Sequence, residues 1–383
     1  MFLSNSFNTF TIFSMEERTY WLAFSVFPGI GTVTFKKLLQ RFGSAKNAWN
    51  ASESDLQEFI QERYMKKFID FRSSFPFDGY QNELQRKNVW FVTLQDKEYP
   101  QLLKKIIKPP FVLYAKGNKE ILNQVQNDSF LAVVGTRKIT EYGREVTELF
   151  TRDLVQNGIT IVSGLALGVD ALAHKTTLEN NGYTIAVLGC GVDCCTPEEN
   201  QFLYNEILKK GGAIVSEFPL NHPPTQGSFP ARNRIIAGLS DGVLVTEGAE
   251  DSGSLITADY AFKFNRPVFA VPGPVTSGMS KGPFRLIQRG AKLVTSAKDI
   301  AEELKSQVLN VKTTTQSSNL KEPRAGTREE RKILEMLENE ALHFDTIARE
   351  TGFSSSKLGS LLTLMEMKGM IKNSQGMFSS YQE

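Results

Sequence analysis

Apolar and polar positions change rhythm twice along the chain. From Glu16 to about Asp78 the apolar residues recur at helical spacing: Tyr20, Trp21, Phe24 and Val26, then Val33, Phe35, Leu38 and Leu39. Phe27-Pro28-Gly29-Ile30-Gly31 interrupts them as a tight turn, and Gly43 reads as a helix stop. Residues 16–88 are therefore expected to form a helical domain. Residues 89–118, with β-like runs at 89–93 and 111–114 and a Pro109-Pro110 pair, read as a lead-in to the next domain.

From Phe130 short continuous apolar runs take over. Strands are predicted at 131–134, 160–162, 184–188, 213–215, 242–246 and 267–271, with helices at 142–156, 168–180, 201–209, 233–239 and 254–264 between them. Near-continuous apolar strands separated by helices predict an α/β class fold, a Rossmann-like doubly wound and mostly parallel sheet covered on both faces, over residues 89–303. In such sheets ligands bind beyond the carboxyl ends of the strands. Residues 304–327, rich in Thr, Ser, Lys and Asn, read as a linker. Residues 328–383 then offer helices at 329–338, 344–351 and 354–368 and a hairpin from Met370-Ile371-Lys372 to Met377-Phe378 with a turn around Gly376. That is the plan of a winged helix.

Composition narrows the function classes. A formal net charge of +2 and a pI near 8.2 exclude a polybasic chain, so any nucleic-acid site must be a local concentration of charge. In the winged-helix segment acids slightly outnumber bases, which leaves protein contact and accessory duplex contact both open. Cys190, Cys194 and Cys195 form an odd, tightly spaced set with no histidine at zinc spacing, so structural thiols in a reducing cytoplasm are expected, with no metal and no cofactor. No apolar run reaches membrane-spanning length. Met1 to Phe13 reads as an upstream extension, with Met15 as the true start. The Pro-Gly-Ile-Gly turn resembles that of a helix-hairpin-helix, whose amides touch a nucleic-acid backbone.

Each strand of the middle region is followed by small, polar or charged residues. The first gives Gly135-Thr136-Arg137, without the glycine spacing of a dinucleotide fingerprint. The second gives Ser163 and Gly164, then Gly168 and Asp170, with His174 one turn on; the hydroxyl and amides suit a nest for an anion, and Asp170 and His174 share a helix face where they can pair. The fourth ends in Glu217. The arginine pair Arg232-Asn233-Arg234 follows at a helix start signalled by Pro230, where dipole and guanidinium donors favour phosphate. The fifth ends in Glu247, then Ser252-Gly253-Ser254 at another helix start. Three phosphate-type loops and three arginines on one edge exceed the needs of a lone nucleotide and suit a polyanion.

In this order, Val134-Gly135-Thr136-Arg137, Ser163 to Asp170, Ala186 to Asp193, Ser216 to Pro219, Phe229 to Ser240, Ser252 to Thr257 and Val271 to Pro274 resemble the DprA/Smf family of DNA uptake and recombination. The resemblance covers residues 129–297 closely; the helical segment, of sterile-alpha-motif type in many members, and the winged helix agree more loosely. It implies a non-catalytic protein that binds single-stranded DNA in a positive pocket, dimerises through the Rossmann-like domain and helps load the RecA recombinase. By motif position Gly135, Thr136, Arg137, Ser163, Gly164, Gly168, Arg232, Asn233, Arg234, Ser252, Gly253 and Ser254 would meet the strand. Asp170, His174, Glu217 and Glu247 would orient the loops. The chain departs from the family at Thr196, where a tyrosine is usual before proline, and at Phe284, where asparagine is usual. The rival is a phosphoribohydrolase-like enzyme using Glu217 or Glu247, but its Pro-Gly-Gly-x-Gly-Thr loop is absent: the chain has Glu250-Asp251-Ser252-Gly253-Ser254 there.

Overall fold

The computed structural model describes residues 6–124, 129–304, 328–337, 342–367, 370–374 and 377–380. Two compact units emerge, one holding every described element through residue 304 and one holding those from 328 onward.

Six helices open the first unit: α1 (Ser6–Val26), α2 (Thr32–Phe42), α3 (Ala45–Asn50), α4 (Glu53–Leu56), α5 (Glu62–Ser74) and α6 (Phe77–Arg86). The backbone of α1 runs through Met15. Gly31 precedes α2, and Gly43 closes it in a left-handed conformation (φ 78°), the geometry a Cβ disfavours. Aromatic rings fill the space between these helices. Trp49 meets Phe24 edge-on at 5.1 Å, Phe77 at 5.5 Å and Phe68 at 5.6 Å, the arrangement ring quadrupoles favour. The same core continues into the sheet, since Phe35 stacks on Phe111 at 4.2 Å and the Ser25 and Tyr114 hydroxyls bond at 2.6 Å. Apolar contacts thus run from the helical segment into the sheet.

The sheet has nine strands: β1 (Val89–Thr93), β2 (Val112–Gly117), β3 (Phe130–Val134), β4 (Thr160–Ser163), β5 (Thr184–Val187), β6 (Ala213–Ser216), β7 (Gly242–Val245), β8 (Val268–Ala270) and β9 (Lys292–Leu293). Their order is β1-β2-β6-β5-β4-β3-β7-β8-β9. From β6 to β9 all pairs are parallel, while β1 and β2 add antiparallel strands at one edge. The expected lead-in is therefore that edge; β9, only two residues long, gives too short a pattern to predict. Alternate residues of β3 serve opposite faces. Leu131 and Val133 pack with Val146 and Phe150 of α9 (Glu141–Gln156), whereas Phe130, Ala132 and Val134 share a core with Ile235 and Ile236 of α12 (Ser228–Leu239).

Between them lie α7 (Gln101–Lys104), α8 (Glu120–Gln124), α10 (Val169–Glu179) and α11 (Gln201–Lys209), followed by α13 (Ser254–Lys263), α14 (Lys281–Gln288) and α15 (297–304). The chain leaves β3 toward β4 on one side and returns to β7 on the other. At this switch point the loops after β3, β4 and β7 diverge and leave a crevice.

The second unit contains α16 (Arg328–Leu337), α17 (Phe344–Thr351), α18 (Ser355–Met367) and a small antiparallel sheet of β10 (Leu342–His343), β11 (Ile371–Ser374) and β12 (Met377–Ser380), ordered β10-β12-β11. Ile333, Leu337, Ile347, Leu358, Leu362, Ile371 and Phe378 form its core, and the plan is a winged helix. The expected turn at Gly376 and, beyond residue 304, the expected linker lie outside the described residues. Among the described residues no helix is long and apolar enough to cross a membrane.

Candidate nucleic-acid interface

At the switch point lies an open cavity of about 650 Å³. Its walls come from the loop after β3, the start of α12 and the start of α13; Gly135, Thr136, Arg137, Arg232, Asn233, Ser252, Gly253 and Ser254 all line it. Among the other lining residues, which the sequence pattern did not single out as site residues, are Lys138, Gln226 and Phe229, and the carboxylate of Asp251 also lines it. Lys138 follows Arg137 directly and Phe229 opens the Phe-Pro-Ala-Arg-Asn-Arg motif, so both signals were present in the chain.

Arg137 and Lys138 are exposed, and among the described residues neither meets a carboxylate. The Arg137 guanidinium carbon sits 5.6 Å from the centre of the half-buried Phe229 ring, a cation–π placement that leaves its N–H groups for a ligand. The start of the ten-residue helix α13 adds a positive dipole end on the facing wall. There Ser252 and Ser254 share a 2.8 Å hydrogen bond, and Asn233 donates to the Gly253 carbonyl at 3.2 Å, tying α12 to α13.

The other two arginines do something different. Arg232, 4% exposed, donates Nη1–H to the carbonyls of Gly164 (2.5 Å) and Val187, and Nε–H to Asn233 Oδ1 at 3.1 Å. Its Nη2 lies 4.0 Å from Asp170 Oδ2. Burial lowers its pKa, and Asp170 opposes that shift. One guanidinium thus ties the ends of β4 and β5 to α12, and a side chain at Gly164 would run into it. Arg234 forms a bidentate pair with Glu217 (2.5 and 2.6 Å) and donates Nε–H to the Lys108 carbonyl at 3.0 Å. Burial pulls its pKa down, and the Glu217 bonds and charge outweigh it.

These contacts correct the expectation that both guanidinium forks point at a ligand from a helix start. Helix α12 begins at Ser228, so both residues fall a turn inside it, and protein groups use their donors. Arg232 still shows at the cavity wall; Arg234 lies off it.

The loop after β4 is likewise closed upon itself. Ser163 is buried and donates to the Val133 carbonyl at 2.7 Å, while the Gly164 amide donates to Asp170 at 3.1 Å. No open nest remains there. Gly168 holds φ 78°, and any Cβ would strike the Thr136 carbonyl, which explains the glycine without a ligand. Asp170 and His174 do not pair. Burial raises the Asp170 pKa, with Arg232 opposing, and the His174 ring turns instead to Thr184, with Nδ1 and Oγ1 2.6 Å apart. Glu247, 3% exposed, accepts from the Thr140 amide at 3.0 Å and from its hydroxyl at 2.5 Å, fixing the residue that caps α9. Glu217 and Glu247 thus both spend their carboxylate oxygens on protein donors. Glu247→Gln is expected to cost about 1–3 kcal/mol of stability, read from its urea midpoint, and to change no turnover of nucleoside monophosphates.

Of the two departures, Thr196 shares a small pocket of about 100 Å³ with Arg137, Gly164 and Phe229, so an aromatic ring still stands there. Phe284 is half-buried in α14. Burial raises the thiol pKa of Cys190 to about 11 and likewise that of Cys195 to about 11, which keeps both protonated at neutral pH.

A doubly wound sheet with an open, cation-bearing cavity at its switch point, followed by a winged helix, defines a Rossmann-like protein with an accessory winged-helix unit. The family model for DNA recombination-mediator protein A matches residues 90–305, and that for the DprA winged helix domain matches residues 318–377. The chain belongs to the DprA/Smf family. It is 37% identical to Protein Smf of Synechocystis over 94% of this chain and 98% of that one, and 43% identical to DNA processing protein DprA of Bacillus subtilis over 56% and 70%. The solved structure of DprA from Streptococcus pneumoniae is similar with a TM-score of 0.63 and 34% identity, covering 75% of this chain and 97% of that one. DNA processing protein A from Helicobacter pylori, described for its single-stranded DNA binding mode, matches with a TM-score of 0.51 and 31% identity over 58% and 98%.

Proposed function

We propose that this chain binds single-stranded DNA at the switch-point cavity, without catalysis, and serves DNA processing in recombination. The observation that carries the reading is the pairing of two cations free of carboxylates, Arg137 and Lys138, with the Phe229 ring in an open cavity. Phosphates need the first and a splayed base needs the second, a combination that grips a strand irrespective of sequence. The family's DNA-processing relatives and the single-stranded DNA binding described for the Helicobacter pylori protein support the same conclusion. Protection of incoming DNA, loading of RecA, dimerisation through the Rossmann-like domain and a cytoplasmic setting belong to this proposal on family grounds. So does a division of the first unit into helical (16–88) and DNA-binding (89–303) parts.

The test is a titration of labelled oligonucleotide at several salt concentrations. Arg137→Ala is expected to weaken binding and to reduce the slope of log K against log salt by about 0.7, one single-strand phosphate's worth. Unchanged affinity and slope would remove the cavity from the DNA path.

A further inference from the structure

A second concavity, of about 760 Å³, runs from the cavity across the start of α9 and over α10 and α11. It shares Arg137 and Lys138 with the first, so the two adjoin across these side chains. Arg144, Lys175 and Lys210 extend the line of cations along it. Arg144 is exposed and, among the described residues, meets no carboxylate. Glu179, Glu199 and Glu206 also border the groove, but Glu179 sits 3.7 Å from Lys175 and Glu206 sits 3.4 Å from Lys209. Positive charge prevails where the groove leaves the cavity.

Over this groove stands Phe202, 76% exposed. Helix α11 buries Tyr204 and Ile207 against the sheet, so Phe202 has no share in that packing. A single exposed phenylalanine is ordinary on a protein surface. This one stands over a groove that Arg137, Lys138 and Arg144, cations without a carboxylate partner among the described residues, open from the proposed DNA site, which is the pattern of a stacking platform along a phosphate track.

We propose that the bound strand does not end in the cavity but passes between Arg137 and Arg144 into this groove, where a base stacks on Phe202. The proposal rests on the DNA-binding reading of the cavity. Its site is separate, and its occupant is the continuation of the same strand.

Fluorescence anisotropy with two oligothymidylates separates the cases, one of about six nucleotides to fill the cavity and one of about sixteen to reach beyond it. Phe202→Ala is expected to weaken the longer strand at least about fivefold and leave the shorter one unchanged, while Phe202→Trp retains wild-type affinity for both. Arg144→Ala should lower the salt slope for the longer strand alone, by about 0.7. If Arg137→Ala weakens both lengths but Phe202→Ala and Arg144→Ala weaken neither, the groove is overturned and the cavity stands. If Arg137→Ala binds as wild type, the cavity reading fails on its own. Unaltered DNA binding together with reduced self-association of Phe202→Ala in sedimentation would assign the ring to a second copy of the chain and likewise overturn the proposal.

Discussion

Arg232→Ala is expected to lower the stability of the first unit by about 3–5 kcal/mol, the usual cost of removing one member of a buried charge pair. The substitution strands the Gly164 and Val187 carbonyls and leaves the buried Asp170 without its cation. Arg232→Lys is expected to recover little, because an ammonium cannot span two strand ends and a carboxylate with one planar fork. Urea midpoints, taken beside those of Arg137→Ala, check this directly. Arg137 is exposed and satisfies no buried group, so its loss should leave the midpoint within about 0.5 kcal/mol of wild type while DNA affinity falls. An Arg232→Ala protein of wild-type stability but reduced DNA affinity would return that guanidinium to the ligand and make the buried bonds incidental.

That contrast also marks how far the sequence could be read. Strand and helix positions were legible because an apolar run of four or five residues flanked by glycine and polar groups has few other ways to bury itself. Helix α11 matches its expected bounds, Gln201–Lys209, and α10 and α13 fall within a residue or two. The gathering of the β3, α12 and α13 loops on one edge followed from the alternation of strands and helices alone. What sequence could not separate was arginine as clamp from arginine as ligand. Arg137, Arg232 and Arg234 carry the same head group; only the carbonyls of Gly164 and Val187 and the carboxylate of Glu217, brought close by the folded chain, distinguish them. The same limit applied to Ser163 and Gly168, whose residue types suit an anion nest and also suit tight backbone packing. Phe229 escaped because an aromatic residue before a proline reads as core until its half-exposed ring is seen in the cavity.

Lowering the pH is expected to loosen the same region through His174. Thr184 donates its hydroxyl hydrogen to the Ile161 carbonyl at 2.8 Å, so the His174 ring must supply the hydrogen between Nδ1 and Thr184. The proton therefore sits on Nδ1, and buried Nε2 faces no partner among the described residues. Burial first, and the Arg232 charge second, push the His174 pKa down to about 3. In the unfolded chain the ring titrates near its ordinary value of about 6.5. Between those values the unfolded state binds the extra proton, so stability is complete above pH 6.5 and falls as pH decreases, by about 2 kcal/mol at pH 5. Asp170, whose pKa burial raises with Arg232 opposing, works in the reverse sense, so a variant is needed to isolate the ring. His174→Asn keeps a donor at the Nδ1 position and cannot titrate. Urea midpoints at pH 7 and pH 5 should show wild type losing about 2 kcal/mol more than the variant. Equal losses would mean that the ring already carries its proton in the fold, a state incompatible with Arg232 clamping the same loop.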